Sequence, residues 1–419
     1  MHKELNRRRF VQVAAGGTVV ALAGCLGDDD DDEELEESAD DSDGHDDHED
    51  DGDNDDGEFE GSEGMIYAFA PNTIAIIDPE DGEVVDEITD GLDDEGWGDP
   101  RITADYSEIY VIRESPSQVL VIDTEAREIV DEVDIGPDAT HMYHPNDEEM
   151  WAHSDDEGTF YVIDTDSHDV TEIVESGLEN EGHGKLLYHE DFGSTAYATN
   201  VNDPGVAVID LESYERSDFI EFADEDDQGT HYKAYSPENG RAYVEFGDET
   251  VVVDTETDEI VDTFDFAGGM YLSSDEQVLG VLDGDEVRFL DATSEDSEEL
   301  GVVPVGDGPD ALRYHESEDT RYAITAHTQT DEASIIDVDE LEVVDIVDVG
   351  DIERPEDAHH LHRSGVAGDG YFVTPADADG IVAVVDIEAS EVEHVEVEDG
   401  VDTVQYVGDS GVGYSGRLR

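Results

Sequence analysis

The feature that most constrains this chain is a strand that keeps returning. An apolar run closed by aspartate recurs as Ile74-Ala-Ile-Ile-Asp78, Val119-Leu-Val-Ile-Asp123, Phe160-Tyr-Val-Ile-Asp164 and Val206-Ala-Val-Ile-Asp210. It returns again at Asp254, Asp291, Asp337 and Asp386, with successive aspartates 37 to 49 residues apart. Each aspartate opens a polar turn, and a second alternating strand follows, such as Glu83-Val-Val-Asp-Glu-Ile88. An Asp there accepts backbone N–H groups and ends the ladder. Two more strands precede each Asp strand. One carries Tyr or Trp (Ile109-Tyr-Val111, Met150-Trp-Ala152), and ahead of it comes a short strand ending in a polar turn, as in residues 232–241. Nothing shows helical periodicity. Four short strands in a period of this length are the signature of a β-propeller blade. The expected fold is all-β: a single β-propeller over residues 64–419, with eight blades of four antiparallel strands. Seven blades are the alternative if the short repeat between Asp254 and Asp291 is irregular. The chain enters at a second strand (Ile66-Tyr-Ala-Phe69) and ends with Thr403-Val-Gln-Tyr-Val407 and Gly411-Val-Gly-Tyr414. N-terminal strands are therefore expected to pair with C-terminal ones and close the ring.

Ser236-Pro-Glu-Asn-Gly-Arg241 followed by Tyr243 resembles the repeat of the YVTN propellers, which are WD40-like, and the likeness extends over roughly 355 residues. Such a resemblance implies the fold strongly and the function weakly.

Charge sets the conditions under which such a fold is tolerable. The chain has 119 acidic and 18 basic residues, a formal net charge of −101. A packed domain so charged repels itself in dilute buffer, whereas at 1 M salt the Debye length shrinks to about 3 Å. The acids run along the whole chain, a surface style that resembles proteins of salt-loving archaea. Nucleic-acid binding needs a basic footprint and is excluded as an expectation. Hydrophobic residues, at 37%, suffice for a core if each strand needs one apolar residue in two.

Residues 1–27 read as an export signal. Arg7-Arg8-Arg9-Phe10 is a twin-arginine motif, with Asn6 where Ser or Thr is usual, and an apolar run over 11–26 follows. The run contains Leu22-Ala-Gly-Cys25, which resembles a lipobox. The resemblance implies cleavage before Cys25, its lipidation, and a protein tethered by that lipid at the outer face of the cytoplasmic membrane or cell surface. The plainer alternative is an uncleaved membrane anchor. Cys25 is the sole cysteine, so no internal disulfide forms. Residues 28–63 are almost wholly Asp, Glu, Gly and Ser, an acidic disordered linker. Its His45 and His48 are either a loose metal-binding tract or incidental.

Nine of the 16 histidines sit on or just before expected innermost strands, which surround the propeller axis. One level comprises His141, His183, His231, His359 and His360. His153 and His327, in loops between the second and third strands, open on the same mouth, with Asp310 and Asp357 at comparable positions. Imidazole and carboxylate suit Zn²⁺ or another divalent cation. The alternative is a structural hydrogen-bond partner of the WD type. Such a histidine repeats blade after blade, whereas here Ile102, Met270 and Leu312 stand near its place in three blades. The second level is His144, His189, His315 and His362, expected to bond the turn after the inner strand. Lys185 and Lys233 each follow a histidine by two residues and share its strand face. They are read either as binding an anion in the channel or as balancing nearby carboxylates.

This constellation resembles the zinc-chaperone propellers of the AztD type that serve zinc ABC importers. The resemblance touches His45, His48, His141, His183, His231 and His359 or His360. It implies a zinc-binding propeller that delivers metal to a transporter. Two other classes stay open: a non-catalytic scaffold that binds a cell-surface protein, and a quinoprotein- or lactonase-like enzyme. Against the enzyme stand the absence of a serine nucleophile elbow and of a haem Cys-x-x-Cys-His motif; no residue is nominated as catalytic.

Overall fold

The computed structural model describes residues 62–177, 181–223, 228–317, 320–355 and 361–408. These form eight antiparallel sheets of four strands each. Seven are built from consecutive strands, as in blade 3: Ala139–Asn146, Glu149–Ser154, Thr159–Asp164 and Val170–Glu175. The remaining blade, blade 1, joins Ile66–Phe69, Ile74–Asp78 and Glu83–Ile88 to Thr403–Tyr406. Ile66 lies opposite Tyr406, and Phe69 opposite Thr403. The C-terminal strand is thus the innermost strand of the first blade, and the ring closes without a covalent link. Gly411 to Tyr414 lie outside the described residues.

The seven-blade alternative falls because the short repeat is complete. Met270–Leu272, Val278–Asp283, Glu286–Asp291 and Glu299–Pro304 form a full sheet, blade 6. Its middle hairpin turns in two residues, with Gly284 at φ +64° and Asp283 paired to Glu286. Gly takes that left-handed backbone at no steric cost.

Eight apolar clusters lie between neighbouring blades. Tyr67, Phe69, Ile74 and Ile76 pack on Ile109, Val111, Leu120 and Ile122 of the next blade. Ile66, Ala68, Ala75 and Ile77 pack on Val373, Val382 and Val384 of the last blade. The same strands are therefore buried on both faces. This corrects the expectation of one apolar residue in two: the second and third strands of each blade read as continuous apolar runs, as strands covered on both sides do. The acidic residues go to the outermost strands, such as Glu259–Phe264, which is largely exposed.

The aspartate that ends each third strand works as expected. Asp123 Oδ1 accepts the N–H groups of Glu125 (2.9 Å) and Ala126 (2.7 Å). Arg127, at φ 53°, then bonds back to the Asp123 carbonyl. Asp210 and Asp254 repeat the device with Tyr214 and Asp258.

Candidate metal centre at the channel mouth

Inner strands begin with irregular pairing at one mouth of the channel. The register shifts between Trp97 and Pro100, between Ala139 and His141, between Thr230 and Lys233, and between Asp310 and Arg313. A bulge re-aims the side chains it carries. Here the bulged segments carry Asp99, His141 and His231. His183 comes from the connection into the inner strand Leu186–Tyr188. Gly184 keeps that connection tight, since a Cβ there would stand 2.4 Å from the Thr199 carbonyl oxygen.

The imidazoles meet. His141 Nε2 and His183 Nε2 are 3.0 Å apart. His141 Nδ1 lies 2.7 Å from Asp99 Oδ2, and His183 Nδ1 lies 2.7 Å from Asp155 Oδ2. A carboxylate on Nδ1 fixes the proton there and turns the Nε2 lone pair outward, as in carboxylate–histidine–metal triads. The two lone pairs face each other. Lys185 relieves part of that conflict, its Nζ standing 2.8 Å from His141 Nε2. His231 is next in line, its ring centre 5.0 Å from that of His183 and its Nδ1 3.3 Å from Glu245 Oε2.

Electrostatics keep His141 and His231 neutral. Burial, followed by the Lys185 charge, pushes His141 well below the ordinary imidazole range. Burial pushes His231 down to about 4, against the opposing pull of Glu245. Burial works against the charge on Asp99 and Asp155, but contact with His141, and with His153 and His183, holds both below the usual carboxylate range. Lys185 is also lowered, by burial first.

The donors suit a divalent metal in chemistry and orientation: two ligands of a tetrahedral zinc stand about 3.3 Å from each other when each is about 2.0 Å from the ion. Yet among the described residues no group of three His, Asp or Glu side chains is set to hold a metal ion. Two aligned imidazoles, with a third beside them, are what the fold provides.

Other nominated residues lie elsewhere. His153 is fully buried on the strand Glu149–Ser154, with Nδ1 on Asp155 (2.8 Å) and Nε2 on Ser176 Oγ (2.9 Å). His327 is equally buried between Thr330 Oγ1 and Ser334 Oγ, each at 3.2 Å. Both ring nitrogens of each are occupied by protein groups, so these two brace the scaffold, and His153 also holds Asp155, the carboxylate partner of His183, in place. His144 and His189 bond the turn after the inner strand, through the Glu149 carbonyl and the Asp191 N–H. His315 instead reaches Glu388, 3.0 Å away on another blade. His362 was expected in such a turn but precedes its inner strand, Val366–Gly368, and faces Asp310 at 3.4 Å. A long connection from Val349 delays that strand, pinned by Arg363, whose guanidinium donates to the Val349 and His327 carbonyls. Lys233 is buried, its Nζ 5.6 Å over the Tyr143 ring. Cys25, His45, His48, Asp357, His359 and His360 lie outside the described residues. Asp99, Asp155 and Glu245 were not anticipated; three acids among 119 carry no signal of their own. Beside His231 opens a cavity of about 590 Å³, lined by Tyr232, Glu245, Gly268, Asp310, Gln329 and Arg354 among others.

Fold and site together define a closed eight-bladed propeller whose channel mouth gathers imidazoles, carboxylates and buried cations. No family model and no curated protein matches the chain. Among solved structures it is similar to the dihydro-heme d1 dehydrogenase NirN in complex with DHE, with a TM-score of 0.65, 13% identity, 84% of this chain and 76% of that one. It is also similar to apo AztD from Citrobacter koseri, with a TM-score of 0.60, 14% identity, 81% of this chain and 96% of that one. At such identities the likenesses establish the fold alone.

Proposed function

We propose that this protein is a metal-binding propeller that takes a divalent cation, zinc by its donor chemistry, at His141 and His183, with His231 as the adjoining third imidazole. The observation that carries the reading is the pair of facing Nε2 atoms, 3.0 Å apart, each ring held from behind by its own carboxylate. The incoming cation displaces the Lys185 ammonium from His141, which ties affinity to a charge inside the site and favours a cargo that is released again. The likeness of fold to AztD, the zinc-chaperone type that the histidine pattern resembles, supports delivery to a metal transporter. Export by the twin-arginine route, lipidation of Cys25, a tether over 28–63 and a salt-loving host complete the reading. In this reading the carrier works beside a membrane permease.

The test is thermal melting of the full chain in molar KCl with and without zinc. Zinc at 100-fold above its Kd should add about 2.7 kcal/mol of stability. His141→Ala and His183→Ala should remove that gain. His394→Ala, on the outer strand Glu391–Glu396, should keep it. A wild-type protein indifferent to zinc would leave the scaffold reading standing.

A further inference from the structure

Each blade ends in an outer strand with no neighbour beyond it in its own sheet, and such an edge invites pairing with another chain. In blades 1 to 7 the edge is blunted in one way. The pairing of the third strand with the outermost slips by one residue in each of them. The extra residue is Val85, Val130, Val261, Leu300 or Val344 in blades 1, 2, 5, 6 and 7, and all five are exposed. A bulge bends and twists its strand, so no straight ladder is offered. In blades 1, 2, 4, 5 and 7 an aspartate follows the bulge and accepts the next backbone N–H. Asp86 does so from Glu87 at 2.9 Å, and Asp262 from Thr263 at 2.8 Å.

Blade 8 has neither device. Its strands are Val366–Gly368, Tyr371–Ala376, Ile381–Asp386 and Glu391–Glu396. The last two pair residue for residue, Glu391 opposite Asp386 and Glu396 opposite Ile381, with no slip. From the turn aspartate to the apolar residue opposite the strand's start, blade 8 (Asp386 to Val395) takes one residue fewer than blade 1 (Asp78 to Ile88). Glu393 stands where blade 1 has Asp86, and His394 where it has Glu87. Val397 donates its N–H to the Gly380 carbonyl at 2.9 Å. With bonding that alternates along an antiparallel pair, the backbone groups of Val392, His394 and Glu396 therefore point away from the sheet. The outward N–H that aspartate covers in blade 1 is left open at His394.

The strand is held straight from both sides. Val392 packs in the cluster shared with blade 7 and Val395 in the one shared with blade 1. His394 donates its Nε2–H to the Asp348 carbonyl of blade 7 at 3.0 Å. The Glu393 carboxyl group lies against Gly82 of blade 1, where a Cβ would meet it. Acids on other outer strands have arginine partners: Asp86 with Arg127, Glu132 with Arg113, Glu299 with Arg288. Glu391, Glu393 and Glu396 are exposed and join no ion pair among the described residues.

We propose that the outer edge of blade 8 is a docking site for an extended basic segment of a partner protein, which adds to the sheet as a fifth strand. The outward backbone groups of Val392, His394 and Glu396 give the ladder, and Lys or Arg at alternate positions meets Glu391 and Glu393. A second copy of this chain is the poorer occupant, since edge-to-edge pairing sets Glu391, Glu393 and Glu396 against one another. The site stands apart from the imidazole pair and needs no metal.

The experiment reads fluorescence anisotropy of labelled peptides mixed with the full chain in molar KCl without zinc. The probe is an end-blocked peptide of alternating Lys and Val, as long as the strand it meets. One control is the same peptide N-methylated at every second residue on the bonding edge; the other alternates Glu and Val. The Lys–Val peptide should bind saturably and neither control should. Inserting one valine after Val392 together with Glu393→Asp copies the bulge and cap of blade 1. It should weaken the peptide about tenfold or more, because the ladder is broken. Glu391→Gln/Glu393→Gln leaves the backbone alone and should weaken it roughly threefold. That pair decides the matter if the insertion unfolds the blade: undiminished affinity there overturns the proposal. So does a wild type that binds no peptide, an N-methylated peptide that binds as well as its parent, or a folded insertion variant that binds like wild type. A wild-type dimer in sedimentation that the insertion dissolves would give the edge to a second copy and overturn the basic partner. No arm contains zinc, so neither outcome bears on the metal reading.

Discussion

A histidine with a carboxylate on one ring nitrogen has its other nitrogen aimed in advance, and this is what sets His141 and His183 apart from the remaining imidazoles. Asp99 and Asp155 do the aiming. Asp99→Asn keeps an acceptor of the same shape but removes the charge. It should weaken zinc 10- to 100-fold, the usual cost of losing such a partner, as read by competition with a chromophoric chelator. An unchanged affinity would mean that Asp99 does not orient the ligand. Buried histidines away from the site report on pH instead. Burial, and then the Arg363 charge, lower His327 to about 4, against about 6.5 when unfolded. Its neutral form is the folded form, so it leaves stability unaffected above pH 6.5. Stability is lost as pH falls from there towards 4, by roughly 3 kcal/mol in all. Denaturant melts at pH 7 and pH 4.5 should show a smaller loss for His327→Gln than for wild type. Equal losses would contradict a neutral buried ring.

At the scale of elements, the turn after each third strand is a closed local unit. Asp123→Ala strips the acceptor from the Glu125 and Ala126 N–H groups. It should cost about 1 kcal/mol, seen as a lower melting temperature with the fold intact. That unit is also why so much of the fold was legible. An apolar run, an aspartate and a polar turn are all local, so blade count, strand order and ring closure followed from spacing. The inner strands were less legible. Some are only three residues long, Met270–Leu272 and Val366–Gly368 among them, too short for a period to show. Bulges there shift the count, so that in blade 2 the mouth is faced by Asp99 and not by a residue beside Ile102. His141, His183 and His231 could be found because histidine is uncommon and its spacing stands out. Their carboxylate partners could not, because acids are everywhere. His153 and His327 carried the same signal as the mouth histidines, and only their complete burial, each ring closed in by hydroxyls of its own blade, tells them apart.

The propeller is a ring held shut by one short strand and surrounded by charge. Thr403–Tyr406 supplies the inner strand of blade 1, and Val404 and Tyr406 pack in the cluster shared with blade 8. Ending the chain after Asp402 leaves Ile66–Phe69 an unpaired edge. It should abolish the single cooperative melt and make the chain sensitive to protease; a truncated protein that melts like wild type would deny the closure. The charge of −101 predicts a melting temperature that climbs steeply with KCl until screening is complete. The ring matters to function because it brings residues 141 and 183, on separate blades, to a common point. X-ray absorption at the zinc edge of the loaded protein in molar salt tests that most directly. At least two imidazole nitrogens are expected at about 2.0–2.1 Å from the metal, lost together in His141→Ala/His183→Ala. A shell of oxygen atoms alone, unchanged in the double variant, would contradict it.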